Sequence, residues 1–404
     1  MCDILKDKDD MKTIICFAVA VFTCASLNAQ DNISAVVSEI DVNNTTLKAL
    51  RADMKAQQIG NRTGIFLPNP EVEFGYLWGS PGSIGTKKDL GLTQTFDFAT
   101  VSGMKRRMAK SRDRLAEYQY MADRQAILLE ARNYCVELVY YNAVCRELDR
   151  RISRAAELET AWKRRLDNGD AGILEYNKAK LSLVSLKGEK SRMEVERKAL
   201  LAGLRRLNGG IDIAFDDSSY NSLPMPSDFN SWYASAEAKS PALKYVRQQT
   251  EVSRGEMKLS RAEGLPNISA GYTSERTMEE TFQGISVGIS IPLWENKNKI
   301  RQAKAAVSAA EARQADAVEQ FYVRLQELYD RAAGLKSVMD GYRETLASAR
   351  NNNELLVKAL DAGQISIVDY IVESSMYYDT VEQALAAERD YELAKAELYS
   401  NTGE

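Results

Sequence analysis

The sequence predicts a mainly α-helical fold with a small β component, built from two copies of one structural unit. Three observations carry this: an internal repeat, four segments of alternating hydrophobicity, and two very long proline-free stretches with apolar residues every three or four positions. Leu67-Pro68-Asn69-Pro70 recurs as Leu265-Pro266-Asn267-Ile268, and Phe74-Gly75-Tyr76 recurs as Ala270-Gly271-Tyr272. Leu166-Asp167-Asn168-Gly169 returns as Leu360-Asp361-Ala362-Gly363. The three offsets are 198, 196 and 194, a drift that small insertions produce.

Composition narrows the chemistry. The 404 residues include 53 basic and 57 acidic side chains, for a formal charge of -4, so no basic stripe marks the chain as a nucleic-acid binder. There is no histidine, which excludes imidazole-based triads and every histidine metal site. Eight prolines and 45% hydrophobic residues suit a long helical chain rather than a disordered one. Glycine-rich phosphate loops are absent, since neither Gly82-Ser83 nor Gly209-Gly210 has the spacing or a following lysine. No catalytic constellation, metal set or cofactor motif is expected.

Taken in order, residues 1–29 read as an export signal. Met11-Lys12 precedes an apolar run from Ile14 to Phe22, and Ser26-Leu27-Asn28-Ala29 supplies small residues for cleavage before Gln30. The acidic decapeptide ahead of Met11 fits no signal, so Met11 is expected to be the start; lipidation of Cys24 is the competing reading. No later run of eighteen apolar residues offers a membrane-spanning helix. The remaining cysteines, Cys135 and Cys145, stand ten residues apart on one helix, about 15 Å along its axis and too far to pair.

The first repeat is expected over 30–210. A helix at about Thr45 to Gly60 leads into a hairpin at about 67–98, where Val72, Phe74, Tyr76 and Trp78 alternate with Glu71, Glu73 and Gly75. A long helix from Val101 to Leu166 follows, then a tight turn at 168–173 and a return helix from Glu175 to Leu207. Residues 211–240 read as a linker or equatorial region, polar from Asn208-Gly209-Gly210 through Pro224 and Pro226. The second repeat, 241–404, opens on the Ser240-Pro241 helix start and continues with a hairpin at about 265–294. A helix beginning near Ile300 then carries a three-and-four stepping pattern to Leu360, with a stutter around Gln314. It turns at 362–367 and returns from Asp369 to Tyr399. About 65 residues of helix give a rod of roughly 100 Å.

The strands carry apolar and aromatic residues on one face and small polar residues on the other. That is the pattern of a membrane β-barrel, with lipid outside and water inside; a soluble sandwich with a solvated polar face shares it. Four strands cannot close a barrel, and open edges do not survive in lipid, so strands that span a membrane require several chains to share one barrel.

With these features in place the chain resembles the TolC-like outer-membrane efflux family across nearly all of its length after residue 29. The resemblance is carried by Leu67-Pro68-Asn69-Pro70-Glu71-Val72, by Ser286-Val287-Gly288-Ile289-Ser290-Ile291-Pro292-Leu293-Trp294, and by Gly363-Gln364-Ile365-Ser366-Ile367-Val368-Asp369 with its counterpart at Gly169. It implies a homotrimer with a shared twelve-strand barrel in outer-membrane lipid and a twelve-helix tunnel through the periplasm. Such a duct is passive, needs no catalytic residue, and works with a periplasmic adaptor and an inner-membrane transporter.

The family places a gate aspartate after the second turn, which matches Asp369, and the acidic residue after the first turn matches Glu175. Both also suit the first turn of a helix, where carboxylates complement the dipole. This chain departs from the family at Ile365, where some members have a basic residue, and at Val372, where some have a second acid. Gly169, Ile173, Gly363 and Ile367 lie at the turns expected to meet the adaptor. Tyr76, Trp78 and Trp294 fall near strand ends, as interfacial aromatics do. Lys105-Arg106-Arg107 after the first hairpin is either a headgroup contact or an ordinary solvated helix start. A periplasmic coiled-coil adaptor or scaffold is the competing class; it shares the helical hairpins and lacks the paired β-hairpins.

Overall fold

The computed structural model describes residues 32–97, 99–221, 224–292, 294 and 296–402. The expected signal, with Met11 and Cys24, lies outside the described residues. The element order is α1 (Asn32–Asn43), α2 (Thr45–Gly60), β1 (Glu71–Trp78), β2 (Thr86–Phe96), α3 (Ala99–Asp167), α4 (Ile173–Leu207), α5 (Phe229–Lys239), α6 (Pro241–Ala262), β3 (Asn267–Arg276), β4 (Thr281–Ser290), α7 (Lys299–Asp361) and α8 (Ile367–Ser400). Both hairpins, both long helices and both return helices stand where the sequence puts them. The stutter at Gln314 leaves α7 unbroken.

Two helices go beyond the expectation. Residues 229–239, read as part of the linker or equatorial region, form α5: the Asp228 carboxylate accepts from the Ser231 amide at 2.7 Å, and Phe229, Trp232, Tyr233 and Ala236 step along one face. Helix α1 is also formed, ahead of the Asn44 side chain that caps α2 through the Leu47 amide at 2.8 Å.

The chain divides into two compact units that do not follow the repeats. Among the described residues, one comprises those within Met1–Asn43, Glu130–Leu223 and Ser348–Arg389, the other those within Asn44–Leu129, Pro224–Ala347 and Asp390–Glu404. In the first unit Tyr140, Val144 and Leu148 of α3 are buried against Leu186 and Met193 of α4 and Leu385 of α8. The segment after α4 is strapped onto α3. Phe215 is buried, the Asn142 amide donates to the Phe215 and Asp217 carbonyls at 3.2 and 2.8 Å, and the Tyr220 hydroxyl donates to the Val136 carbonyl at 3.0 Å. The Phe215 and Asp217 carbonyls of the strap thereby gain a donor, which an irregular segment must find from side chains.

In the second unit Leu325, Leu328 and Leu398 pack with Ala236, and the aromatic residues of α5 cover them. The same unit holds a four-stranded antiparallel sheet in the order β1-β2-β3-β4. Its register is continuous, running through Val72↔Leu92, Leu92↔Tyr272 and Tyr272↔Ile285. Strands β1 and β4 are its edges. Among the described residues no helix is long and apolar enough to cross a membrane.

Candidate functional site

The two helical turns are the same device twice. At the end of α3 the Gly169 amide donates to the Leu166 carbonyl at 3.0 Å and the Asp170 amide to the Arg165 carbonyl at 2.7 Å. At the end of α7 the Gly363 amide donates to the Leu360 carbonyl at 3.0 Å and the Gln364 amide to the Ala359 carbonyl at 2.8 Å. These are Schellman turns, and the glycines sit at φ 83° and 70°, a region that a Cβ disfavours.

Each return helix then starts on a carboxylate at its third position. The Gly172 amide donates to Glu175 Oε2 at 2.9 Å. In α8 the Ser366 hydroxyl donates to Asp369 Oδ2 at 2.7 Å while the Asp369 amide donates to the Ser366 oxygen at 3.1 Å. Glu175 therefore helps cap α4 and Asp369 braces the Ser366 cap of α8, and both place negative charge at the positive end of the dipole. Asp369 remains exposed and Glu175 is half-buried.

The two turns differ in their apolar residues. Ile173 is 55% exposed, whereas Ile367 is 0% exposed, packed with Leu158, Trp162, Ala179, Leu360 and Tyr370. Ile367, expected among the turn residues that meet an adaptor, has its side chain inside this cluster, where it stitches α8 to α3, α4 and α7. Leu174 and Val368 are exposed beside the turns instead. The Arg154 guanidinium, bonded to Asp361 Oδ1 at 3.0 Å, ties α3 to the end of α7. These partners lie 207 residues apart, and no local pattern in the sequence announces the pair.

Between α3, α4 and α8 a cavity of about 190 Å³ is lined by Arg151, Arg154, Glu189, Tyr370 and Tyr378 among others. Arg151 lies 4.2 Å from the centre of the Tyr378 ring and donates to the Tyr378 carbonyl at 3.1 Å. Burial raises the Tyr378 hydroxyl pKa. Burial, then the neighbouring Glu382 carboxylate, raises that of Glu189, against the lowering effect of Arg151 and Arg192.

The sheet is the second candidate site. Its apolar face carries Val72, Phe74, Tyr76 and Trp78 on β1 and Ile285, Val287 and Ile289 on β4, all exposed, with Trp78 at 79% and Ile285 at 85%. Trp78 ends β1 beside the hairpin loop, and the equally exposed Trp294 follows β4 at the other end of the strands. Lys88 Nζ stands 5.8 Å from the Tyr76 ring centre. The opposite face carries Glu71, Glu73, Thr93, Thr95, Ser269, Thr273 and Ser286, with glycines between them. Side chains converge there: a Cβ on Gly271 would lie 2.7 Å from Ser286 Oγ, and one on Gly288 would lie 2.6 Å from Ser269 Oγ. Glycine on this face marks the close approach of neighbouring strands. On the same face Lys87 pairs with Glu275 at 2.8 Å and Asp89 at 3.4 Å. Lys105, the first of three basic residues after the hairpin, is tied to Asp97 at 2.7 Å. Among the described residues no cluster of acidic or thiol groups is arranged to hold a metal ion, and Cys135 and Cys145 form no disulfide.

Comparison with known proteins bears out the resemblance to outer-membrane efflux proteins. Residues 232–404 match the family model described as outer membrane efflux protein. The alkaline protease secretion protein AprF of Pseudomonas aeruginosa is 26% identical over 217 residues, a stretch that is 50% of this chain and 45% of that protein. The match thus spans less than half of that relative's length. The fold is shared with CusC (TM-score 0.76, 14% identity, 92% of both chains). It is shared also with VceC of Vibrio cholerae (TM-score 0.74, 14% identity, 92% of this chain and 96% of that one) and CmeC of Campylobacter jejuni (TM-score 0.72, 16% identity, 92% and 85%).

The Glu189 environment predicts a pH effect. Its pKa in the folded chain lies above the ordinary value of 4.5, so the folded state is disfavoured as pH rises through the raised value, and no penalty exists below the ordinary one. Glu189→Gln is expected to raise the apparent melting temperature at pH 8 and to leave it unchanged at pH 4, measured by circular dichroism in detergent.

Proposed function

We propose that this chain, whose second half carries the sequence pattern of the outer membrane efflux proteins, is the outer-membrane exit duct of a tripartite efflux or secretion system. The observation that carries the reading is the sheet: one exposed apolar face, two unpaired edges, and tryptophans at both ends of the strands. Water does not favour that face, and lipid does not tolerate those edges. Both are satisfied when β4 of one protomer pairs with β1 of the next around a closed ring. Three copies of four strands give a barrel of twelve, with Tyr76, Trp78 and Trp294 at the lipid headgroups.

The remainder of the duct follows from the helices. Over the half next to the turns, three copies of α3, α4, α7 and α8 line a periplasmic tunnel with twelve helices. The turns around Gly169, Ile173 and Gly363 receive a periplasmic adaptor that an inner-membrane transporter feeds. Their exposed apolar neighbours Leu174 and Val368 offer the adaptor a surface that the buried Ile367 does not. Asp369, in three copies about one axis, forms an anionic ring at the tunnel mouth, with Glu175 contributing a second set of carboxylates; such rings attract cations and resist close approach of the helices that carry them. The cap on Ser366 and the ring are compatible, because one carboxylate oxygen holds the cap and the other is left to the lumen. The duct works by opening and closing, so no residue is assigned a catalytic role.

The reading is tested by the native mass of the protein extracted with detergent from isolated outer membranes. A species of three chains that dissociates on heating is expected; a monomer in the soluble periplasmic fraction would put a coiled-coil adaptor or scaffold in its place. The gate is tested separately with Asp369→Asn, which keeps the acceptor for the helix cap and removes the charge. The variant is expected to lose part of the cation preference of the channel in planar bilayers at nearly unchanged thermal stability. Wild-type selectivity would remove Asp369 from the gate.

A further inference from the structure

The polar face of the sheet breaks its own pattern at one end. On β1 that face runs Glu71, Glu73, Gly75 and then Leu77; on β4 it runs Ser290, Gly288, Ser286, Gly284 and then Phe282. The register contains no bulge that would turn either residue to the other side: Leu77 opposes Lys87, and Phe282 opposes Glu275. Leu77 is 55% exposed and Phe282 58% exposed, so neither is part of the core of its own chain. Both lie close to the hairpin loops, and each stands on one of the two edge strands. Between them the Lys87 ammonium is held by Glu275 and Asp89, so the intervening strands offer a paired charge rather than a bare cation.

We propose that Leu77 and Phe282 form an apolar collar inside the outer mouth of the barrel, a constriction that hydrated ions cross poorly and solutes with apolar surface cross readily. The inference rests on the shared twelve-strand barrel. When β4 of one protomer pairs with β1 of the next, the two residues come to neighbouring strands at the same end, and three copies place six large apolar side chains around one axis. A barrel of eight strands is filled by its own side chains and one of sixteen to eighteen leaves an open aqueous channel. Twelve strands leave a bore that projecting phenylalanine and leucine side chains narrow substantially. Apolar constrictions restrict ions by losing their water, without any need for charge. A duct that stays in the outer membrane between transport events gains a barrier to leakage at its outer end, separate from the carboxylates at the helical turns.

The test reads access from outside, so that the helical mouth does not limit it. Thr273, on the same polar face one row deeper than Phe282, is replaced by cysteine in a Cys135→Ser, Cys145→Ser background. Intact cells are treated with a membrane-impermeant cationic thiol reagent. The double change Leu77→Ser, Phe282→Ser is expected to raise the labelling rate by about threefold or more, while Ile285→Ser on the lipid-facing side leaves it unchanged. Native mass is checked for every variant. Equal rates in a three-chain species overturn the collar and leave the shared barrel standing. A parent protein that is not a three-chain species, or a Thr273→Cys that stays unlabelled in every three-chain variant, removes the barrel reading and the collar with it. Where the double variant fails to assemble, Phe282→Cys alone serves: labelling from outside is expected to lower the single-channel current of the purified trimer, and an unchanged current overturns the proposal.

Discussion

A four-stranded sheet with one exposed apolar face and two unpaired edges constrains everything else in this chain. Fully burying a valine, isoleucine or phenylalanine side chain is worth about 1.5–3 kcal/mol. Leaving Val72, Phe74, Trp78, Ile285, Val287 and Ile289 in water therefore costs on the order of 10 kcal/mol, as much as the whole net stability of a typical domain. Lipid removes that cost and introduces another, because the backbone groups along β1 and β4 lose the water that would satisfy them. The proposed closed ring of several copies meets both demands. The polar face fits the same arrangement, since its glycines admit the neighbouring side chains that curvature brings together.

The helices meet a simpler demand. In the proposed hollow helical wall each helix has partners at its sides and solvent on its luminal face, so stability rests on narrow apolar seams and on well-satisfied ends. The buried cluster of Leu158, Trp162, Ala179, Leu360, Ile367 and Tyr370 is such a seam, and the paired Schellman turns and third-position carboxylates are such ends. Gene-level duplication of one unit explains why the two turns share their hydrogen bonds at an offset of 194 residues. Divergence then separates them: the first return helix exposes its leading isoleucine, and the second buries it.

Most of the fold was legible in the sequence because its elements are long and strongly periodic. Eight to eleven residues of alternation and sixty residues of three-and-four stepping leave little ambiguity of type. Helix α5 escaped because its Asp228 cap and four apolar positions lie in a short stretch flanked by prolines and serines, which reads as loop. The burial of Ile367 was not legible, because the face that a first-turn residue presents depends on the helices packed against it rather than on its spacing. The same holds for Arg154 with Asp361 and for Glu189, whose environments are assembled from distant segments. Asp369 and Glu175 were singled out by the family resemblance, and what local sequence records of them is their helix-start chemistry.

The proposed duct depends most on edge pairing between copies, and cysteine cross-linking reads that directly. Within one chain β1 and β4 are separated by two intervening strands, about 14 Å, too far for a disulfide. Cysteines placed in turn at Val72, Phe74 and Tyr76 against one at Val287 would be oxidised in intact membranes and resolved by denaturing electrophoresis. Edge pairing in a closed ring predicts that at least one pair yields cross-linked species that end at three chains. Monomer alone for every pair, or a ladder that continues beyond three, would contradict it.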